Sequence, residues 1–209
     1  MAAAPPLAGD GRPGLRERNR ARNRAEVAAV ALELFDRRGF DDVTVDDIAA
    51  AAGISRRTFF RYFDSKEDAV LPYEDERLDQ LREMLAARPA GEPILASIRH
   101  ATVAIIAATA GPEARIDGLR RARLLADCPA VHARSLALQS HWEAAIAEVI
   151  AAHLGVDPAT DLEVQVIAGA TLVAVRAAVR VWLATDGATD LADLVGDAYD
   201  VLTAGVTLP

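Results

Sequence analysis

The sequence predicts an all-α protein built as a short N-terminal three-helix unit followed by a larger C-terminal helical body. Three observations predict it. Hydrophobic residues make up 52% of the 209 residues while aromatics reach only 5%, so Ala-rich helices packed closely through small side chains are favoured. Apolar residues recur at helical spacing along most of the chain, with Gly and Pro punctuating the segments. No strand-like alternation is long enough to compete, and no internal repeat is visible.

Residues 1–15 are rich in Ala, Pro and Gly and lack the apolar run of a signal peptide; the expectation is a disordered arm. From Arg16 to Arg38, Val27, Val30, Ala31, Leu34 and Phe35 mark one buried helix face, and Gly39 ends the helix. Thr44 offers a capping hydroxyl to a second helix reaching about Ala52, with Asp46 and Asp47 at its positive end. Gly53-Ile54-Ser55 forms a turn, and Ser55 caps a third helix, Arg56 to Phe63. Ser65 with Asp68 resembles a capping box and predicts that a fourth helix opens there and reaches Ala87. Further helices are expected over 93–109, 112–127, 129–154, 159–184 and 190–205, the last two started by Asp157-Pro158 and Thr189-Asp190. The domain division is 1–15 arm, 16–66 N-terminal unit and 67–209 body.

The net charge of −8 argues against a protein that coats nucleic acid, but its distribution is uneven. Residues 1–66 carry twelve Lys plus Arg against ten acids, and the remainder eleven against twenty-one, so the positive surface lies at the front. Cys128 is the only cysteine, which excludes an intramolecular disulfide and fits a reducing cytoplasm; it is read as a packing residue. The longest uncharged runs fall short of the ~20 residues of a membrane span, so a cytoplasmic protein without membrane contact is expected.

The informative segment runs from Thr44 to Lys66, TVDDIAAAAGISRRTFFRYFDSK. Two short helices crossing steeply through a three- or four-residue turn need a small residue at their contact, a glycine in the turn and apolar anchors on both inner faces. Ala49, flanked by Ile48 and Ala52, then Gly53, Ile54, Phe59 and Phe63 occupy those positions. Arg56, Arg57, Thr58, Arg61 and Tyr62 are left on the other faces of the third helix. Such a helix suits a major groove: Arg reads guanine with two parallel hydrogen bonds, Thr reaches a base or a thymine methyl, and Tyr suits a phosphate oxygen.

With these residues in place, the segment 22–71 resembles the DNA-binding domain of the TetR family, through the glycine turn, the F-x-x-x-G-F close of the first helix, TFFRYF and S-K-E-D. The resemblance implies a dimeric, two-domain helical regulator that represses transcription until a ligand binds. It implies phosphate contacts by Thr44, Tyr62 and Lys66 and base contacts by Arg56, Arg57, Thr58 and Arg61. Phe60 stands where many relatives carry tyrosine, which removes a hydroxyl and its hydrogen bond there and leaves ring contact with a thymine methyl open. Lys66 is the only lysine in the chain, a point charge beside the DNA backbone. The basic run Arg16 to Arg24, just upstream, is either a minor-groove extension or a solvated tail.

In the body, the small side chains of Val166, Gly169, Ala170, Val173, Ala174 and Ala177 permit close helix approach, and by resemblance this helix and 190–205 form a homodimer contact. The segment Arg120 to Gly155 is similar to actinobacterial, mycofactocin-regulator-like members of the family, some of which respond to acyl-coenzyme A thioesters. The pocket that this implies would be lined by Ile94, Ile98, Ile105, Leu125, Leu138, Trp142 and Ile146, with Arg120, Arg121 or Arg123 at the mouth for phosphates.

An enzyme is disfavoured, and no cofactor or metal is expected: His100, His132, His141 and His153 have no close metal spacing, and no phosphate loop or nucleophile motif occurs. His141 and Glu143, at i and i+2, point apart on a helix. The reading is a repressor releasing palindromic double-stranded operator DNA when a small effector binds. An activator, a regulator without a small-molecule ligand, and a helical carrier or enzyme with vestigial DNA binding are the alternatives.

Overall fold

The computed structural model describes residues 15–71, 74–89, 91–108 and 111–204, and among them finds nine α-helices and no strand. The expected arm lies outside the described residues except for Leu15, which already begins α1 (Leu15–Arg38). The basic run is therefore the first half of a continuous helix and not an extension preceding it. α2 (Val45–Ala51) and α3 (Arg56–Tyr62) follow. Each has only seven residues, too short to persist alone in water. Their stability comes from a shared core in which Leu32, Val43, Ile48 and Phe59 are fully buried, with Phe35 and Phe63 nearly so; each such side chain contributes about 1.5–3 kcal/mol. Ring stacking of Phe59 on Phe63, centroids 5.3 Å apart, fixes α3 in that core.

The caps form as expected. Thr44 Oγ1 accepts from Asp47 N (3.2 Å) while Asp47 Oδ2 accepts from Thr44 N (2.9 Å), a reciprocal box. Ser55 Oγ accepts from Thr58 N at 3.1 Å. Gly53 turns the chain at φ +66, a conformation that costs a side-chain-bearing residue about 1–2 kcal/mol.

The fourth helix departs from expectation. Ser65 N and Oγ both donate to Asp68 Oδ2, at 3.0 and 3.1 Å, so the local box forms, yet 64–71 are turns and bends and α4 is Glu74–Ala86. Ala69 and Val70 are fully buried in the N-terminal core, and that burial sets the path of the chain. Pro72 also disfavours helical geometry at Leu71. The N-terminal core thus extends past residue 66.

The body comprises α4, α5 (Ile94–Ala107), α6 (Pro112–Asp127), α7 (Pro129–Leu154), α8 (Leu162–Ala184) and α9 (Leu191–Ala204). α8 starts three residues later than expected, because Asp161 supplies the cap, its Oδ1 accepting from Val164 N at 3.0 Å. Asp157 instead holds a turn through Ala159 N and Thr160 Oγ1. Ile98, Ile146, Ile150, Val164, Val195 and Tyr199 form the centre of the body core.

α6 is held on both sides. Toward the head, Arg120 pairs with Asp36 of α1 (3.2 Å) and Arg121 donates to Val70 O (2.9 Å). Leu124 and Leu125 pack on the head core, as does Val131 of α7, which is fully buried there. Toward α8, Gly118 lies so close to Trp182 that a Cβ would sit 2.9 Å from the indole edge. Arg115 donates to Gly187 O and Arg123 pairs with Asp186 at 2.6 Å. Arg134 of α7 adds a further tie, its Nε 2.6 Å from Asp68 Oδ1.

α8 is long and apolar enough to cross a bilayer by length and composition. Counting uncharged runs missed this, since Arg176 and Arg180 interrupt an otherwise apolar helix. In the fold it packs on α7 and α9.

Candidate DNA-binding surface

Burial of Phe59 and Phe63 on the inner side of α3 turns Arg56, Arg57, Phe60 and Arg61 outward, where all are exposed. Thr58 and Tyr62 flank them and are half-buried. Arg56 reaches Asp46 of α2 at 2.9 Å and lies over the Phe60 ring, 5.6 Å from its centroid. Both partners of that ion pair are largely solvent-accessible, so it contributes about 1 kcal/mol at most and yields readily to a base edge or phosphate. Arg57 has no ion pair or side-chain hydrogen bond among the described residues. Arg61 lies over the Tyr62 ring at 5.2 Å and donates to its hydroxyl at 3.3 Å.

Thr44 is exposed at the start of α2, with its hydroxyl 2.6 Å from Asp47 Oδ2. Asp47 is held down to about 2 by the Thr44 side-chain hydrogen bond first, then by Thr44 N–H and Arg38. Sequence reasoning passed over Arg38. It donates to Asp47 Oδ1 (3.1 Å) and Asp42 O (2.9 Å), fixing the entry to α2; its place one residue before Gly39 is the signal that was available. Lys66 is half-buried and directs its ammonium to Phe40 O (2.7 Å) and Val43 O (3.0 Å), over the Phe40 ring at 4.3 Å. It stitches the α1–α2 connection to the turn after α3, and it stands in that turn, not in a helix.

The first half of α1 lies beside the end of α3. Asn19, Arg20 and Asn23 line a notch with Arg61 and Tyr62, and Arg20 Nη2 donates to Arg61 O at 3.4 Å. Hydrogen bonds from Asn23 first, then Arg61, lower the Tyr62 hydroxyl below its ordinary value.

Comparison with known proteins decides what this arrangement is. The model described as "Bacterial regulatory proteins, tetR family" matches residues 27–71, and the one described as "MftR C-terminal domain" matches residues 92–207. A protein described as the mycofactocin biosynthesis transcriptional regulator MftR of Mycobacterium tuberculosis is 34% identical over 191 residues, covering 90% of this chain and 93% of its own. The chain belongs to the TetR family. This TetR-family chain is also 33% identical over 174 residues to the HTH-type transcriptional regulator TcmR of Streptomyces glaucescens, covering 81% of this chain and 77% of the relative. Among solved structures, the TetR-family repressor FadR of Thermus thermophilus, in complex with lauroyl-CoA, superposes with a TM-score of 0.57 at 27% identity. That match covers 89% of this chain and 96% of the other. The TetR-family assignment makes the chain a helix-turn-helix transcriptional regulator.

Of the body residues singled out in the sequence, Ile98, Ile105, Trp142 and Ile146 meet in one core, with Ile94 beside them. Leu138 is half-buried on α7. Leu125 belongs to the head core instead, and Arg120 and Arg123 are engaged with Asp36 and Asp186, so none of these three lines a pocket with the isoleucines. Along α8, Val166 and Val173 are 59% and 48% exposed, while Ala174 is buried within the subunit and cannot meet a partner. Gly169 faces Glu143 of α7, 3.3 Å from a would-be Cβ. Ala170 and Ala177 are half-buried.

Proposed function

We propose that this regulator is a homodimeric repressor that releases operator DNA when an apolar, acyl-type effector enters its body. The observation that carries the DNA half is the outward face of α3, on which Arg56, Arg57 and Arg61 are exposed to solvent, with Thr44 and Tyr62 flanking it as phosphate donors. Lys66 contributes there through its third donor while its other two hold the head together.

The acyl effector is supported by the similarity to a regulator solved with lauroyl-CoA and by a cleft of about 470 Å³ between α4 and α7. Leu85, Ala86, Val149 and Ala152 give it an apolar floor, and Arg82, Glu148 and His153 a polar rim; this suits a chain with a charged head. The dimer is supported by the exposed apolar stripe of Leu162, Val166, Val173 and Val181 on α8, which a second copy would cover.

Effector binding reaches the head through α6 and α7, by Arg121 to Val70 O, Arg120 to Asp36 and Arg134 to Asp68. An effector that fits one setting of these helices better than the other shifts the spacing of the two α3 helices. The test is fluorescence anisotropy on a palindromic duplex selected from a randomised pool, titrated with lauroyl-CoA, coenzyme A and laurate. Release by the thioester is expected. An operator affinity unchanged by all three overturns the effector reading, and an absence of sequence preference overturns the regulator mechanism.

A further inference from the structure

We propose that Asp46 of α2 determines specificity for the DNA read by α3: it holds one edge of the Arg56 guanidinium, so that the opposite edge is offered to a guanine and withheld from the phosphates. The assignment rests on the DNA-binding reading of α3 given above. Asp46 itself lies outside α3 and acts through Arg56, as a positioning residue.

Arg56 is the first residue of α3, directly after the Ser55 cap, and the N-terminal residues of a recognition helix are those that meet base edges in a major groove. Two contacts place its guanidinium. Nη1 donates to Asp46 Oδ2 at 2.9 Å, and the central carbon lies 5.6 Å from the centroid of the Phe60 ring, one turn further along α3. Nε and Nη2 make no hydrogen bond among the described residues. That pair is one of the two-donor edges with which an arginine takes guanine O6 and N7. The neighbouring Asp47 cannot stand in for Asp46, because its oxygens are engaged by Thr44 and Arg38.

Charge supplies the discrimination. The first helix of a helix-turn-helix crosses the DNA backbone, and Asp46 stands in the first turn of α2, two residues after Thr44. When Arg56 reads a guanine with Nε and Nη2, Nη1 stays on Asp46 and the carboxylate remains covered. When Arg56 swings to a phosphate instead, it abandons Asp46, and a bare carboxylate is left facing the polyanion. In the free subunit the pair is weak, since its side chains are 62% and 66% accessible, so Asp46 does little for the fold. Its effect arises on DNA, where it penalises the sequence-independent mode and spares the base-reading one, which is how a repulsive element creates specificity.

The experiment compares wild type, Asp46→Ala, Asp46→Glu, Arg56→Ala and the Asp46→Ala/Arg56→Ala double variant, with urea midpoints confirming the fold. Each is titrated over a salt series with the selected operator duplex, with the same duplex carrying 7-deazaguanine at one guanine at a time, and with a scrambled duplex. One 7-deazaguanine position should weaken wild type about tenfold and leave Arg56→Ala unaffected, which marks the guanine that Arg56 reads. Asp46→Ala should shrink that loss to about two- to threefold, bind the scrambled duplex severalfold more tightly, and steepen the salt slope by about one unit as Arg56 gains a phosphate. Asp46→Glu, which keeps the charge on a longer arm, should restore most of the discrimination, and Asp46→Ala should change nothing at that guanine in the Arg56→Ala background. Asp46→Ala strengthening all duplexes by one common factor would make Asp46 a mere repulsive charge and overturn the inference, leaving the DNA-binding reading intact. The same loss at the marked guanine in wild type and Asp46→Ala also overturns it. Failure of wild type to prefer the operator over the scrambled duplex would instead sink the DNA-binding reading.

Discussion

The bond between Arg134 and Asp68 joins the C-terminal body to the N-terminal head, and its strength can be worked from the geometry. Asp68 keeps 12% of its side chain accessible and Arg134 35%, so the pair is neither a surface pair nor a fully buried one. Replacing Arg134 by Ala removes a charge-assisted hydrogen bond of 2.6 Å, for which about 1.5–3 kcal/mol is typical. The penalty of about 3–5 kcal/mol for orphaning a buried ion does not apply, because Asp68 retains the Ser65 N–H and hydroxyl as donors. A loss of about 2 kcal/mol is expected, equivalent to about 4–8 °C in Tm for a chain of this size. Urea unfolding of Arg134→Ala, Asp68→Asn and the double variant gives the coupling directly, with about 1–2 kcal/mol expected. In the same series operator release by the effector should be blunted while affinity in its absence is nearly kept. A coupling below about 0.5 kcal/mol, the size of an exposed pair, would refute the claim that this contact ties the two parts together.

Arg57→Ala is expected to lose about 1–3 kcal/mol of discrimination at one base position, read by competition with single-base operator variants; a uniform loss across all of them would make Arg57 a backbone contact. Gly118→Ala places a methyl against the nearly buried Trp182. Overpacking of about 1–3 kcal/mol should exceed the helix-propensity gain of about 1 kcal/mol, with a change in Trp182 emission in a Trp142→Phe background. Because Asp47 is depressed to about 2 from 3.8 in the folded chain, its contribution is complete above about pH 4 and is lost as pH falls toward 2. Asp47→Asn should therefore flatten that part of the acid-unfolding curve. Val173→Asp places a charge in the exposed stripe of α8 and should shift sedimentation from dimer to monomer, while thermal stability of the subunit changes little.

The head was legible in the sequence because its determinants are local. Thr44, Gly53 and Ser55 act within three or four residues of themselves, and the spacing of Ile48, Phe59 and Phe63 leaves one way to bury all three. The start of α4 was misread because Ser65 and Asp68 do satisfy a capping pattern, while the burial of Ala69 and Val70 that diverts the chain is a tertiary fact; Pro72 was the signal overlooked. Arg120, Arg123 and Leu125 could not be placed from spacing, since their partners lie in α1, the α8–α9 turn and the head core. On α8 a list of small residues was too coarse. At about 100° per residue, Val173 and Ala177 fall within about 20° of Val166, whereas Ala174 stands about 80° away, and the structure buries it accordingly.

The insertion of Val131, Leu124 and Leu125 into the head core bears on how such regulators can be recombined. Severed after Leu71, the DNA reader would expose a raw apolar wall, so it is not an interchangeable cassette. A chimera that grafts this reader onto a foreign sensor would have to carry the α6–α7 corner along with it, and the boundary respected by successful hybrids would run through the middle of the body.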